Sequence, residues 1–281
     1  MVDMLNRSYS VLMAVYIKDN PEWLSIALDS MYNQTLKPKE IVLVKDGTLT
    51  QELEAVIEEK VINYDGLLKC CQLQNNSGLG VALRYGVQMC SYEWIIRMDS
   101  DDYSVPDRCE KQFRTQEQNQ ADMVGCDINE FVGSPDNVIA KRIFPESHED
   151  IVRFGRRRTP FAHPGILMRR DDVLRAGNYR KANLHEDYDL FVRMLMIGCR
   201  GYTVKEPLVC MRVSEDFYAR RGGLKYLNEL LHFNVYLYKI GWMQKSDFMI
   251  RSIANTFSCL MPNFARDLIY KKVLRKEGKI A

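Results

Sequence analysis

Apolar and polar positions follow one another in blocks over the first hundred residues of the chain. Four short apolar runs occupy residues 10–16, 40–44, 70–73 and 94–98. Between these runs, apolar side chains recur three or four positions apart, as they do from Leu24 to Met31. Short continuous runs are typical of buried parallel strands, and the wider spacing is typical of amphipathic helices. The alternation predicts βαβ units, and therefore an α/β fold with helices on both faces of a sheet.

After residue 102 the pattern becomes less regular. Further strands and one hairpin are predicted at residues 123–128, 130–144, 165–168 and 203–213. Pro207 is expected to interrupt the last of these strands. From residue 224 onward the apolar spacing is helical, and it predicts helices within 224–238, 248–260 and 265–274. We therefore divide the chain into an α/β domain, residues 1–223, and a C-terminal helical extension, residues 224–281.

Polar residues follow each of the first four predicted strands. They are Asp19, Asp46, Asn76 and Asp99. In open α/β sheets, ligands bind in the crevice at the carboxyl ends of the strands. This edge is therefore the predicted ligand site. The chain contains neither GxGxxG nor GxxxxGK[ST], so neither a dinucleotide fold nor a P-loop is supported.

The fourth strand is followed at once by three carboxylates, Asp99, Asp101 and Asp102. Like charges this close repel one another, and each is costly to desolvate. A divalent cation would relieve both effects, and oxygen ligands of this kind suit Mg²⁺ or Mn²⁺ when phosphates complete the shell. The alternative is a solvated acidic turn before a helix that begins near Pro106. The position directly after an apolar strand favours the metal and phosphate site.

Two charged clusters lie outside this edge. Residues 153–158 include four arginines, which indicate either a solvated helix end or a site for a phosphate or an acidic partner. Glu186, Asp187 and Asp189 begin a predicted helix. Carboxylates there complement the helix dipole, or one of them projects into the cleft as a general base.

Composition narrows the class of protein further. Of the 281 residues, 46% are hydrophobic and 27% are charged, which is ordinary for a globular protein. The net charge of +2 gives no overall positive electrostatic field that would attract nucleic acid. The eight cysteines form no CxxC pair, which is typical of free thiols in a reducing compartment, and we expect a cytoplasmic protein. Residues 271–279 are basic, so the C-terminal helices either form a cap or contact the inner face of an anionic membrane.

Four motifs in order resemble those of family 2 glycosyltransferases with the GT-A fold, over roughly residues 10–223. They are Val15-Tyr16, Lys45-Asp46-Gly47, Asp99-Ser100-Asp101-Asp102 and Glu186-Asp187. The overall pattern is most similar to bacterial enzymes that build capsular or amylovoran-type surface polysaccharides. The resemblance implies a Rossmann-like nucleotide-diphospho-sugar transferase fold with a mostly parallel sheet. It also implies an inverting transfer from a nucleotide sugar, with UDP-sugars the first choice, to a saccharide or lipid-linked acceptor.

The resemblance also implies a role for each matching residue. Tyr16 would border the base of the nucleotide, and Asp46 would hydrogen-bond that base. Asn76 and Arg84 would approach the nucleotide, and Asp99 would lie against the ribose.

By the same resemblance, Asp101 would bind the Mn²⁺ or Mg²⁺ ion that bridges the diphosphate, and Asp187 would be the catalytic base. Two positions depart from the family pattern. Arg84 stands where many members carry Asn, and Ser214 stands where many carry a His that can reach the metal or the diphosphate. Arg220 or Arg221 would then neutralise phosphate charge instead.

Two other functions fit parts of the pattern. A nucleotidyltransferase also uses a carboxylate-bound metal on an α/β sheet, but it is expected to carry a glycine-rich loop after the first strand, and residues 16–20 contain no glycine. A non-catalytic sugar-nucleotide-binding or scaffold protein is the third possibility. The presence of both Asp101 and Asp187 favours an enzyme over that possibility.

Overall fold

A computed structural model describes residues 7–181, 185–213 and 222–261. In this part of the chain nine strands form one sheet: β1 (Tyr9–Val15), β2 (Glu40–Lys45), β3 (Leu68–Gln72), β4 (Trp94–Arg97), β5 (Tyr103–Ser104), β6 (Met123–Phe131), β7 (Val138–Arg142), β8 (Leu167–Arg169) and β9 (Gly201–Arg212). The helices described are α1 (Pro21–Tyr32), α2 (Gln51–Asn63), α3 (Leu79–Met89), α4 (Arg108–Asn119), α5 (His148–Gly155), α6 (Arg170–Arg175), α7 (Glu186–Met196), α8 (Leu224–Lys239) and α9 (Lys245–Leu260). The predicted α/β class is confirmed.

The strand order is β3-β2-β1-β4-β8-β6-β9-β5, with β7 paired to β6. Strands β1 to β4 are parallel to one another, so their carboxyl ends meet at one edge. Beyond β4 the sheet is mixed, because β8 runs antiparallel to both β4 and β6 whereas β9 is parallel to β6. The prediction of a parallel sheet therefore describes β1 to β4, where the ligand site is expected, and the rest of the sheet is mixed.

Successive side chains of β1 pack into two different hydrophobic layers, as the period of two in a strand requires. Val11 and Met13 belong to the layer beneath α1, and Leu12 belongs to the layer beneath α3. Helix α3 lies very close to the sheet at Gly86, where an added Cβ would be 2.3 Å from a methyl carbon of Leu12. A side chain at position 86 would therefore push α3 away from the sheet.

The second half departs from the sequence prediction at two places. The strand predicted at 123–128 and the first strand of the 130–144 hairpin are one continuous strand, β6, with an irregular register at Glu130 and Phe131. Pro207 does not end β9, because register shifts between Cys126 and Ile128 of the paired strand absorb the missing donor. Strand β9 therefore continues to Arg212 at the functional edge.

Helices α8 and α9 pack against each other and against the main core. Leu237, Trp242 and Met243 join the hydrophobic layer that contains the buried face of α7. The third predicted helix, at 265–274, and the basic residues 271–279 lie outside the described residues. No helix in the described ranges combines the length and apolar character needed to cross a membrane. The proposed boundary at residue 223 stays a prediction.

Candidate active site

A cavity of about 470 Å³ opens at the carboxyl edge of the first strands. Its lining includes Tyr16, Asp46, Asn76, Asp99 and Asp101, so the structure brings together five of the residues predicted from the sequence. It does not bring in Arg84, which is exposed on α3 and does not line this cavity. The two other predicted arginines, at 220 and 221, lie outside the described residues.

Asp46 shapes one wall of this cavity. Its Oδ1 accepts a hydrogen bond from the backbone N–H of Ser77 (2.7 Å), and its Oδ2 accepts one from Gly78 (2.9 Å). The next residue, Gly47, has φ +89, and a Cβ there would lie 2.7 Å from the nitrogen of Asn76. The Asp46-Gly47 pair therefore lets the loop before α3 approach closely. The N-terminal end of α3 then faces the cavity, where its partial positive charge suits a phosphate.

Asp19 also lines the cavity, and the sequence pattern predicts no role for it beyond that of a polar residue after a strand. Its Oδ2 accepts hydrogen bonds from the backbone N–H of Tyr16 (3.1 Å) and from the hydroxyl of Ser100 (2.9 Å). The loop after β1 is thus tied to the acidic turn after β4. Burial raises the pKa of Asp19 against the opposing effect of these hydrogen bonds.

The three carboxylates after β4 converge. Asp99, Asp101 and Asp102 each offer an oxygen within 4.8 Å of the others. Asp102 is 2% exposed; its Oδ1 accepts from the backbone N–H of Arg212 (2.8 Å), and its Oδ2 is buried with no partner among the described residues. Burial raises the pKa of Asp101 to about 6, and the Asp99 and Asp19 carboxylates add to this shift. An unpartnered buried oxygen within a set of hard oxygen donors fits Mg²⁺ or Mn²⁺.

Arg97 supplies a buried positive charge behind this cluster. Its side chain is 1% exposed and forms an ion pair with Asp99. Its Nε and Nη1 have no hydrogen-bond partner among the described residues. Burial works to lower the pKa of Arg97, but Asp99, Tyr179 and Asp102 together outweigh burial, and the pKa is raised. The sequence pattern places Arg97 within an apolar strand and predicts no functional role for it. The signal that could have identified this residue is a charge inside an otherwise apolar run.

Arg212 holds the cluster from the opposite side. Besides its backbone contact with Asp102, its Nε donates to the carbonyl oxygen of Asp101 (3.0 Å). Its guanidinium lies over the rings of Trp23 (4.4 Å) and Phe131 (4.5 Å). The predicted strand ended near Arg212, but nothing in the sequence linked this residue to the acidic turn.

The acidic start of α7 lies beside the same cavity. A Cβ at Gly80, in the first turn of α3, would be 3.3 Å from Cβ of Glu186. Burial raises the pKa of Glu186 to about 7, with Asp187 adding to the shift. Burial also raises the pKa of Asp187, although a backbone hydrogen bond and the positive charge of Arg97 oppose it.

Both carboxylate oxygens of Asp189 accept hydrogen bonds from side chains outside the cavity lining. Its Oδ2 accepts from Nε and Nη2 of Arg193 (3.0 and 2.8 Å), and its Oδ1 accepts from the hydroxyl of Tyr236 (2.8 Å). Both oxygens therefore serve the packing of α7. Glu186 and Asp187 remain as the candidates for a general base.

Comparison with known proteins identifies the class of protein to which this chain belongs. The family model for glycosyl transferase family 2 matches residues 10–177. The chain is 36% identical to an Escherichia coli UDP-Gal:alpha-D-GlcNAc-diphosphoundecaprenol beta-1,3-galactosyltransferase, over 95% of this chain and 97% of that protein. It is 33% identical to the amylovoran biosynthesis glycosyltransferase AmsE of Erwinia amylovora, over 94% and 98%.

Solved structures agree on the fold. S. aureus TarS residues 1–349 in complex with UDP-GlcNAc superimposes with a TM-score of 0.67 at 17% identity, covering 95% of this chain and 76% of that one. The mannosyltransferase PcManGT of Pyrobaculum calidifontis, solved with GDP-Man and Mn²⁺, gives a TM-score of 0.62 at 16% identity, covering 92% and 72%.

The chain belongs to glycosyltransferase family 2 and is a glycosyltransferase with a GT-A-like fold. The resemblance expected from the four motifs is confirmed. Family membership decides against the nucleotidyltransferase and the non-catalytic alternatives.

Proposed function

We propose that this protein is an inverting, metal-dependent glycosyltransferase that moves a sugar from a UDP-sugar to a hydroxyl of a lipid-linked saccharide. The observation that carries the proposal is the cavity itself, where Asp46, Asn76, Asp99 and Asp101 meet and the acidic start of α7 lies alongside. Its volume of about 470 Å³ is within the range of about 300–1,000 Å³ common for small-molecule sites.

In the proposed complex, Tyr16 and Asp46 border the base, Asn76 and the start of α3 approach the phosphates, and Asp99 faces the ribose. Support for a uridine nucleotide comes from the TarS complex with UDP-GlcNAc and from the UDP-galactose named for the E. coli relative. Arg84 stays a prediction: its side chain would have to turn toward the nucleotide from the exposed face of α3.

Asp101 is proposed to hold a divalent cation, with Asp99 and Asp102 beside it. When bound, Mn²⁺ or Mg²⁺ supplies positive charge that stabilises the departing diphosphate. The acidic residues need such a charge, because burial and mutual repulsion raise the pKa of both Asp101 and Asp102. The PcManGT structure with Mn²⁺ supports this choice of ion. Arg220 or Arg221 stays the proposed second source of positive charge.

Asp187 is proposed to be the catalytic base. A hydroxyl is a weak nucleophile, so its proton must be removed as its oxygen attacks the anomeric carbon. The bond to the diphosphate breaks on the opposite side of that carbon, the electron pair leaves with the nucleotide, and the configuration inverts. Burial raises the pKa of Asp187, and the buried charge of Arg97 opposes this rise and so favours the ionised form that a base requires.

We further propose that the protein works at the inner face of the membrane, in contact through its C-terminal helices. Helix α9 exposes one apolar face, formed by Met249, Ile250, Ile253, Phe257 and Leu260. Residues 262–281 carry six basic and two acidic side chains, which suits an anionic lipid surface. Support for a membrane substrate comes from the diphosphoundecaprenol acceptor of the E. coli relative. The test is sedimentation of the protein with phosphatidylglycerol vesicles and with phosphatidylcholine vesicles. Equal amounts of protein bound to the two kinds of vesicle would contradict this contact. Binding of an Ile253→Ser/Phe257→Ser variant equal to that of the wild type would contradict it as well.

The test of the activity is a transfer assay with a panel of UDP-, GDP- and dTDP-sugars. The acceptor is N-acetylglucosamine joined through an α-diphosphate to an alkyl chain. We expect transfer from at least one UDP-sugar, a requirement for Mn²⁺ or Mg²⁺, and a product of inverted anomeric configuration by NMR. Retention of configuration, or undiminished transfer in EDTA, would contradict the proposal.

A further inference from the structure

A second cavity, of about 260 Å³, lies between the end of α5 and helices α8 and α9. Its described lining includes four arginines and no carboxylate: Arg142, Arg157, Arg158 and Arg251. His185, two residues before the proposed base, also lines it. Its volume is just below the range of about 300–1,000 Å³ for complete small-molecule sites, which suits a subsite.

Arg251 is the most unusual of these arginines, because it is 7% exposed and its hydrogen-bond partners among the described residues are neutral. Its Nε donates to Oδ1 of Asn234 (2.6 Å), and its Nη1 donates to the hydroxyl of Tyr188 (2.5 Å). Its guanidinium also lies over the ring of Tyr188 at 4.7 Å. Buried charges are normally paired with an opposite charge, and no carboxylate in the described part of the chain pairs with Arg251. An anion in the cavity would supply the missing charge.

The basic segment 156–158 is held next to α7, the helix that begins with Glu186 and the proposed base. The carbonyl oxygen of Gly155 accepts a hydrogen bond from the hydroxyl of Tyr188 in α7 (2.6 Å) and another from Nε1 of Trp242 (2.7 Å). Arg157 forms an ion pair with Asp247 of α9 (2.7 Å) and stays half exposed. Arg157 and Arg158 thus stand at the cavity rim on a segment that is tied to both α7 and the helical pair.

We propose that this arginine cavity binds the diphosphate of the acceptor. The inference rests on the proposed function, in which the acceptor is a lipid-linked saccharide. His185 lines the cavity and precedes Asp187 by two residues, and in the proposed complex a sugar whose hydroxyl reaches Asp187 directs its anomeric diphosphate toward the arginines. Planar guanidinium groups bind phosphate oxygens in pairs of charge-assisted hydrogen bonds. Helix α9 carries Arg251 among its buried side chains, and its exposed apolar face would then lie next to the lipid chain.

The first experiment measures binding of inorganic pyrophosphate by calorimetry in EDTA. The test variant is Arg157→Gln/Arg158→Gln, because both side chains are exposed and their loss leaves the core intact. Arg153→Gln is the control for lost charge, since Arg153 is exposed one turn earlier and does not line the cavity. Asp247→Asn is the control for the broken ion pair. We expect both controls to bind like the wild type and the test variant to bind about tenfold more weakly or worse. No binding by the wild type, or equal binding by the test variant, would overturn the site.

The second experiment distinguishes an acceptor diphosphate from free phosphate. Two acceptors carry the same sugar and alkyl chain, joined either by a diphosphate or by an ether. We expect the wild type to prefer the diphosphate acceptor in kcat/KM, and the test variant to lose about tenfold or more of that preference while its affinity for UDP is kept. Equal use of both acceptors by a wild type that binds pyrophosphate would assign the cavity to free phosphate and overturn the proposal. If the wild type transfers sugar to neither acceptor, the proposed function fails, and the acceptor assignment fails with it. The calorimetry still decides whether the cavity binds a diphosphate.

Discussion

Arg97 and Asp99 form an ion pair in which the arginine is buried and the aspartate is about one-third exposed. The two residues are therefore not equivalent in their contribution to stability. Loss of Asp99 leaves a buried guanidinium whose Nε and Nη1 already lack partners in the described part of the chain. Loss of Asp101, by contrast, removes one of several carboxylates that repel one another.

We expect Asp99→Ala to lower the free energy of unfolding by about 3 kcal/mol, the lower end of the cost of stranding a buried charge. Asp101→Ala is the matched control and should be neutral or slightly stabilising in metal-free buffer. Urea denaturation of the wild type and both variants in EDTA measures the difference. Equal destabilisation by the two substitutions would show that Arg97 does not depend on Asp99.

Asp187→Asn should lower kcat by roughly 10²- to 10⁴-fold, because the amide cannot accept the hydroxyl proton. The affinity for the UDP-sugar should hardly change, since only a transition-state interaction is lost. Glu186→Gln is the comparison, and it should retain much more activity. If the two variants exchange these effects, Glu186 is the base, and its pKa of about 7 would suit that role.

Nucleotide binding should depend on a metal through Asp101. We expect UDP to bind more tightly in Mn²⁺ than in EDTA by calorimetry, and Asp101→Ala to abolish that difference. Glu58→Gln, an exposed acidic position on α2, controls for the loss of one negative charge. A metal effect that survives in Asp101→Ala would remove this residue from the metal site.

Asp46→Ala should weaken UDP binding by about 1–3 kcal/mol, the cost of leaving a buried partner unpaired. The structure gives Asp46 a second task, because it also holds the N–H groups of Ser77 and Gly78. Ribose 5-diphosphate, which lacks a base, separates the two tasks. If Asp46 reads the base, the affinity for UDP falls by a larger factor than the affinity for ribose 5-diphosphate; if it only supports the loop, the two affinities fall by the same factor.

Stability in metal-free buffer should decline as pH rises from about 4.5 to about 7. The pKa of Glu186 is raised from 4.5 to about 7, chiefly by burial and then by Asp187, so the folded protein holds its proton at pH values where the unfolded chain has lost it. The stabilisation is complete below the unfolded pKa and is lost as pH rises through the folded pKa. Urea denaturation near pH 5 and near pH 7 should show a smaller decline for Glu186→Gln, and an unchanged decline would contradict the role of Glu186.

The nucleotide half of the site could be predicted from sequence because its residues follow strands. Parallel strands end at a common edge, so Asp46, Asn76 and Asp99 had to meet there once β1 to β4 were recognised. The contacts of Arg212 could not be predicted in this way. Its hydrogen bond to Asp102 joins residues 110 positions apart, and it depends on β9 running past Pro207 beside β6. Local spacing carries no information about such a contact.

The arginine cavity shows the same limit. The basic segment at 153–158 was visible in the sequence, and an anionic partner was one of two interpretations. Arg251 was not a candidate, because it lies alone in a helical stretch almost a hundred positions later. Only the packing of α9 against Tyr188 brings the buried guanidinium to the same cavity.

The two hydrogen bonds to the carbonyl oxygen of Gly155 have a consequence for exchanging parts between family members. Tyr188 and Trp242 both lie beyond residues 10–177, the stretch that the family model matches, whereas Gly155 lies within it. A chimera joined at residue 224 would keep the native Tyr188 but pair it with a foreign helical segment in place of Trp242 and Arg251. A chimera joined just before α7 would carry all three side chains together, and Tyr188 and Trp242 would then need a recipient with a free backbone carbonyl and a glycine at position 155. Exchanges of the C-terminal part between family members should therefore begin at α7, so that Tyr188, Trp242 and Arg251 stay together.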